Sequence, residues 1–151
     1  MKIYIAHPIS GKGYAEVVNY MEETKRVLTH IGYEVLHPMT GKGFARTEKI
    51  FRAHGNEALS PITSNHAIVT RDFWMVNQAD IIYVNLLSAT EPSLGCVAEI
   101  AWAYATKKLI VVAMQDGNPH NHAFIYDMAS IIFDDNDDVL NYLNTLKFGR
   151  I

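Results

Sequence analysis

Short apolar runs alternate along the chain with longer stretches in which apolar residues recur every three or four positions. The short runs are rich in the β-branched residues that strands favour, and the longer stretches have the spacing of amphipathic helices. Five runs predict strands: residues 2–6, 33–36, 81–86, 109–114 and 130–133. Because helical segments separate these runs, we expect a parallel sheet with helices on both faces.

Helical spacing is clearest over residues 14–31, and Gly32 follows at once. Glycine is favoured just past a helix because it adopts left-handed backbone angles without strain. Residues 97–106 and 139–146 have the same spacing. We therefore expect an α/β fold over residues 1–151, in which five strands alternate with five helices in a single-domain, doubly wound parallel sheet of the Rossmann or flavodoxin-like kind.

Residues 39–64 have no clear period. They contain glycines, a short amphipathic piece and one proline. A stretch of this length without regular structure is uncommon in a compact domain unless it is functional or mobile. We interpret it as a lid or a specificity insert.

Charge and composition narrow the class of protein. The 151 residues include 13 basic and 16 acidic side chains, for a net charge of −3. Since no basic run is longer than the two lysines at 107–108, binding to a nucleic acid polymer is not expected, and a small-molecule substrate is favoured. Cys96 has no cysteine partner, and the apolar run at 109–114 is too short to cross a bilayer. These features, and a start without a signal-like segment, predict a cytoplasmic protein that does not bind a membrane.

Ligands of open parallel sheets bind outside the carboxyl ends of the strands. The loop after the third predicted strand contains Pro92 and Ser93 and leads into a helix that carries Glu99. The N–H groups at a helix start can hold a phosphate or a sugar hydroxyl. Ser93 would cap this helix; the alternative is that Ser93 is only a cap and Glu99 only a charge on a solvated face. Glu99 is, however, the one acid in an otherwise apolar helix.

A second carboxyl group is available upstream, at Asp72. Two carboxyl groups beside one site are the equipment for glycosidic cleavage, because one attacks the anomeric carbon and the other handles the proton of the leaving group. The alternative for Asp72 is an ion pair with a nearby basic side chain.

Three pieces of sequence occur in order: K-I-Y-I-A at the start, R-D-F-W-M-V-N-Q-A-D before the third apolar run, and P-S-L-G-C-V-A-E-I-A-W-A-Y-A followed by K-K-L-I-V-V. Each is weak alone, but the ordered set resembles the nucleoside 2-deoxyribosyltransferase family. The resemblance extends over residues 2–133 and is weakest over residues 39–64. It implies an enzyme that cleaves N-glycosidic bonds without a cofactor.

By this resemblance, Glu99 corresponds to the family's nucleophilic glutamate, which forms a covalent glycosyl-enzyme intermediate. Tyr4 corresponds to the tyrosine that orients the glutamate, although core packing alone would also explain a tyrosine in this strand. Asp72 corresponds to the aspartate that contacts the base and assists its departure as a proton donor or relay. The sugar then passes to another nucleobase or to water. A non-catalytic nucleotide-binding module, in which Glu99 holds a ribose hydroxyl, is the competing hypothesis.

Ser93 departs from the transferases that act on free nucleosides, which usually have an aspartate at this position. A serine at this position resembles the related nucleoside 5′-monophosphate N-hydrolases. A hydroxyl can donate a hydrogen bond to a phosphate, whereas a carboxylate would repel it. The glycine-rich turn at 9–13 would supply further contacts, or is an ordinary strand-to-helix turn. The expected substrate contacts are His7, Ile9, Ser10, Gly11, Ser93 and Gly95.

Asn121 lies where the family commonly offers a polar residue to the active site of a neighbouring subunit. The resemblance therefore implies a homodimer or higher homo-oligomer with shared active sites. The alternative is that Asn121 caps a helix over residues 122–128. His120 and His122 lack further ligands at a recognisable spacing, so no metal is expected.

Overall fold

Five parallel strands form the centre of the computed structural model, which describes residues 1–47, 49–56 and 58–149. The strand order is β2-β1-β3-β4-β5, and every neighbouring pair is parallel. The strands are β1 (Lys2–Ala6), β2 (Glu34–Leu36), β3 (Ile81–Asn85), β4 (Leu109–Ala113) and β5 (Ile131–Phe133). The predicted Rossmann-like α/β fold is confirmed, with strand ends that differ from the prediction by no more than one residue.

Helices cover both faces of this sheet. They are α1 (Tyr14–Ile31), α2 (Asn65–Gln78), α3 (Leu94–Ala105), α4 (Ala123–Met128) and α5 (Asn136–Phe148). Side chains of a strand point alternately to its two faces. In β1, Ile3 and Ile5 therefore pack against α1 and α5, whereas Tyr4 packs against α2, α3 and α4.

Two of the predicted helices are longer than expected. The helix predicted at 97–106 begins at Leu94, because the Ser93 hydroxyl accepts the Cys96 N–H at 3.3 Å and caps an earlier first turn. The helix predicted at 139–146 begins at Asn136, where the Asp135 carboxylate accepts the Asp138 N–H at 2.8 Å. Apolar periodicity misses polar first turns of this kind.

Much of the segment at 39–64 packs on the body of the protein. Met39, Ala45 and Phe51 are buried in the core on the α1 face. Gly55 donates its N–H to the Asn65 side chain at 2.7 Å, and a Cβ there would lie 2.1 Å from the Thr63 carbonyl oxygen. The segment also contains short 3-10 turns at Gly43–Thr47 and Pro61–Thr63. Its function as a lid or specificity insert stays a prediction, and Glu48 and Glu57 lie outside the described residues.

The strand order places a crevice above β1 and β3. From β1 the chain crosses to one side of the sheet, and from β3 it crosses to the other, so the loops that follow these two strands diverge. Tyr4 lies on β1, and the loop after β3 leads to α3. Within the described parts of the chain, no helix is long and apolar enough to cross a membrane.

Candidate active site

The start of α3 is held in place by a chain of hydrogen bonds. The Ser93 N–H donates to His120 Nε2 at 2.7 Å, so the other ring nitrogen carries the proton and donates to Asn118 Oδ1 at 3.0 Å. Burial lowers the pKa of His120, which favours this neutral imidazole. The Asn118 side-chain amide in turn donates to the Leu86 carbonyl at 2.8 Å. The Ser93 N–H is therefore already satisfied, and its hydroxyl caps α3 as the sequence suggested.

Glu99 lies in the second turn of α3 and faces the sheet. It is only 6% exposed, so it is not on a solvated face. One of its oxygens, Oε1, accepts a 2.5 Å hydrogen bond from the hydroxyl of Tyr4, which is itself fully buried. Two residues 95 positions apart in sequence are thus brought together by the packing of α3 on β1.

Burial dominates the electrostatics of this pair. It raises the pKa of Glu99 to about 8, an effect that the Tyr4 hydrogen bond and the charge of Lys42 partly oppose and the charge of Asp72 reinforces. The pKa of Tyr4 is raised well above its usual range, first by burial and then by Glu99. Tyr4 therefore remains a hydrogen-bond donor at any ordinary pH.

Asp72 extends from α2 to the same face of the sheet and is 8% exposed. Its Oδ1 accepts from Arg71 Nη2 at 3.2 Å, and its Oδ2 lies 3.7 Å from Lys42 Nζ. An ion pair with a basic side chain was the alternative role for Asp72, and the structure contains this ion pair. Asp72 also contributes to the raised pKa of Glu99, as expected of two carboxyl groups that share one site.

Lys42 belongs to this cluster, and the sequence analysis missed it. It is 6% exposed and reaches the site from the turn after β2. No apolar period marks this turn. The one available signal is a lysine between two glycines, Gly41 and Gly43, which repeats the pattern of Gly11 and Gly13 around Lys12.

The loop after β1 lines a separate cavity of about 280 Å³ against α1. His7 stacks on Tyr20 at 4.0 Å and donates from Nδ1 to the Asn85 carbonyl at 3.0 Å. Lys12 Nζ donates to Ser88 Oγ at 2.7 Å and to His7 Nε2 at 3.2 Å. Burial and the charge of Lys12 lower the pKa of His7 to about 4, so this histidine is neutral.

The expected substrate contacts divide into distinct groups. Ser10 and Gly95 are exposed, whereas Ile9 is half-buried and packs on the core. The Gly11 N–H donates to the Phe51 carbonyl at 2.9 Å and is not free for a phosphate. His7 faces the cavity beside α1 rather than the Glu99 cluster.

Asn121 is exposed ahead of α4. The alternative that it caps this helix is wrong, because the cap is His122, whose Nδ1 accepts the Phe124 N–H at 3.2 Å. Among the residues that the structure describes, no group of three His, Cys, Asp or Glu side chains could hold a metal ion.

Comparison with known proteins identifies the relatives of this chain. A sequence-family model described as nucleoside 2-deoxyribosyltransferase matches residues 3–143. The fold is similar to that of a 2-deoxyribosyltransferase from Bacillus psychrosaccharolyticus (21% identity, 94% of this chain and 92% of that chain, TM-score 0.64). It is also similar to the CMP N-glycosidase BcmB of Clostridium botulinum (15% identity, 95% and 98% coverage, TM-score 0.61). A conserved protein of Enterococcus faecalis matches at 18% identity, with 97% and 98% coverage and a TM-score of 0.65.

A search of curated protein sequences finds no significant match to this chain. At identities of 15–21%, the structural likenesses establish the fold.

The raised pKa of Glu99 predicts that this side chain costs stability. Between its ordinary value of 4.5 and its folded value of about 8, the folded chain keeps a proton that the unfolded chain releases. The free energy of unfolding therefore falls as the pH rises through this range. Glu99→Gln removes the titration, so the stability of the variant relative to the parent should rise by roughly 4 kcal/mol between pH 4 and pH 8, given about 1.4 kcal/mol per pKa unit.

Urea unfolding of both proteins at a series of pH values measures this difference. It should grow from about pH 5 to pH 8 and then level off. Glu23→Gln, on the exposed face of α1, is the matched control and should show no such trend. A constant difference between Glu99→Gln and the parent would contradict the assignment.

Proposed function

The chain belongs to the nucleoside 2-deoxyribosyltransferase family, and we propose that it cleaves the N-glycosidic bond of a nucleoside or its 5′-monophosphate by double displacement through Glu99. As an N-glycosyl-bond enzyme of this family, it acts on small molecules of the nucleoside or nucleotide class. The observation that carries the proposed mechanism is the buried hydrogen bond between Tyr4 and Glu99.

In the first step, a Glu99 carboxylate oxygen attacks C1′ of the sugar and the base leaves with the electrons of the C–N bond. Tyr4 occupies Oε1, which leaves Oε2 as the attacking oxygen. Since Tyr4 stays protonated, its hydroxyl orients the carboxylate throughout the cycle. The product of this step is a glycosyl ester of Glu99.

Asp72 assists the departure of the base in this proposal. A departing base gains electron density on its ring nitrogen and must take up a proton. Asp72, which shares the buried site with Glu99, contacts the base and relays to it a proton that water supplies.

In the second step, the acceptor attacks C1′ and releases the carboxylate. Another nucleobase gives transfer, whereas water gives hydrolysis. The outcome depends on whether a base occupies the site before water reaches C1′. The chemistry needs neither a metal nor an organic cofactor.

Glu99→Ala should lower turnover roughly 10³-fold or more, because it removes the nucleophile. The assay is chromatography after incubation with a panel of nucleosides and 5′-monophosphates, with and without a second base. Mass spectrometry of the quenched wild-type protein should detect a pentose on Glu99, and Glu23→Ala should behave as wild type. Undiminished activity of Glu99→Ala would remove this residue from the mechanism, and binding without cleavage across the panel would favour a nucleotide-binding module.

A strict 5′-monophosphate N-hydrolase is the second candidate, and the position of Lys12 favours it. Its ammonium lies at the α1 cavity and is close enough to α3 to oppose the rise that burial causes in the pKa of Cys96. A cation beside the start of a helix attracts a phosphate. Ser93, in place of an aspartate, adds no negative charge at the start of α3, and Glu16, whose carboxylate lies 3.8 Å from Lys12, is exposed.

Lys12→Met should raise KM for a 5′-monophosphate about tenfold or more and leave the Kd of the matching nucleoside unchanged, because about 1.4 kcal/mol of phosphate binding corresponds to tenfold. Steady-state kinetics with the monophosphate and calorimetric titration with the nucleoside measure this. Equal effects on both compounds would contradict a phosphate contact at Lys12.

Association into a homodimer or higher homo-oligomer is also part of the proposal, as is a cytoplasmic location. Large apolar side chains are exposed on three helices, α2, α3 and α4, and α3 packs against both of the others. They include Leu94 at 84% exposure, Phe124 at 67% and Trp74 at 57%. Large apolar side chains exposed on neighbouring helices are typical of an interface, and we place the interface on these three helices. Asn121, just ahead of α4, would then reach the active site of a second copy.

Light scattering coupled to gel filtration should therefore give at least twice the mass of one chain, and Phe124→Glu should shift the protein to the monomer. If Asn121 completes a neighbouring site, mixed oligomers of Glu99→Gln and Asn121→Ala should be more active than either variant alone. A monomeric wild-type protein, or a mixture without gain, would contradict the shared site.

A further inference from the structure

Lys42 is a buried cation in the middle of the site. Its side chain is 8% exposed, and it comes from the turn between β2 and α2 rather than from the elements that carry Glu99, Tyr4 and Asp72. A buried ammonium is costly unless it is paired. The carboxylates around Lys42 therefore compensate its charge, and Lys42 compensates theirs.

The backbone around Lys42 is built to deliver this charge. Gly41 has φ +78°, a left-handed conformation that side chains rarely adopt, and it lies against the Arg71 guanidinium. The Lys42 N–H donates to the Met39 carbonyl at 3.0 Å, and its carbonyl accepts the Ala45 N–H at 3.0 Å. Met39 and Ala45 are core residues, so the turn is anchored on both sides of the lysine.

The charged groups around Lys42 come from three elements. Asp72 Oδ2 lies 3.7 Å away, and Arg71 on the same helix pairs with the other oxygen of Asp72. Glu99 of α3 and His37 at the end of β2 also interact electrostatically with the ammonium. Glu99 in turn faces Tyr4 and the thiol of Cys96. Lys42 is thus a cation that acts on both carboxyl groups of the site.

We propose that Lys42 is a positioning residue for the reaction, whose ammonium compensates the Asp72–Glu99 carboxylate pair so that Glu99 can ionise and act as nucleophile beside Asp72. The inference rests on the proposed role of Glu99. The turn at 39–42 then has a function, which is to place a positive charge beside the two carboxyl groups from the β2 side of the site.

The test is the pH dependence of kcat/KM, which reports ionisation in the free enzyme. In the wild type, kcat/KM should rise with pH as Glu99 loses its proton, with a midpoint near its pKa of about 8. Lys42→Met keeps the length of the side chain and removes its charge. The midpoint should move up by about one pH unit, so that kcat/KM falls about tenfold below the midpoint and recovers at higher pH.

Two further variants separate charge from structure. Lys42→Arg keeps the charge and should keep the wild-type midpoint, whereas Lys49→Met, at an exposed lysine of the same segment, should leave the whole profile unchanged. A purely structural role for Lys42 would lower the melting temperature of Lys42→Met without moving the midpoint, and that result would overturn the proposal.

A third arm holds even if Lys42→Met does not fold. Lys42→Gln also removes the charge but keeps a polar side chain in the turn, and its midpoint should lie about one pH unit above that of Lys42→Arg, which stays charged. Equal midpoints in Lys42→Gln and Lys42→Arg would overturn the proposal. Failure of the proposed function is a separate result. It would be an active Glu99→Gln variant, and this outcome does not depend on the Lys42 variants.

Discussion

The buried hydrogen bond between Tyr4 and Glu99 is the constraint on which the rest of the site depends. A carboxyl group in an apolar layer between helix and sheet resists ionisation, whereas attack on a sugar carbon requires the ionised form. The Tyr4 hydroxyl offsets part of this cost, and the nearby cation Lys42 offsets another part. The buried carboxyl group lowers the stability of the fold, since an apolar residue at this position would pack without the cost of burying a charge.

The sheet explains why these groups meet. Alternation along β1 places Tyr4 toward α2 and α3 while its neighbours Ile3 and Ile5 pack on the other face. Asp72 and Glu99 lie on two helices that pack on each other and on this face. The charged cluster thus has hydrophobic support from β1, α2 and α3, which holds its members in place for the hydrogen bond and the ion pairs.

Two lysines that each lie between two glycines follow neighbouring strands of the sheet. Lys12, after β1, lies at a cavity against α1, and Lys42, after β2, lies at the carboxylate cluster. The first is suited to an anion brought by the substrate, and the second to the charges of the protein itself. Lys42 thus places a positive charge beside the buried acids, whereas Lys12 places one at the separate cavity against α1.

The sequence by itself determined the order of strands and helices, because the periods of apolar residues report local geometry and need no partner. It also pointed to Glu99, since a lone acid in an apolar helix is conspicuous, and the family motifs added Tyr4 and Asp72. Only the tertiary structure decided that Lys42 pairs with Asp72, that the Gly11 N–H is taken by Phe51, and that His122 caps α4. These contacts involve loop residues. Because the period of apolar residues does not predict the path of a loop, such contacts depend on how the whole chain packs.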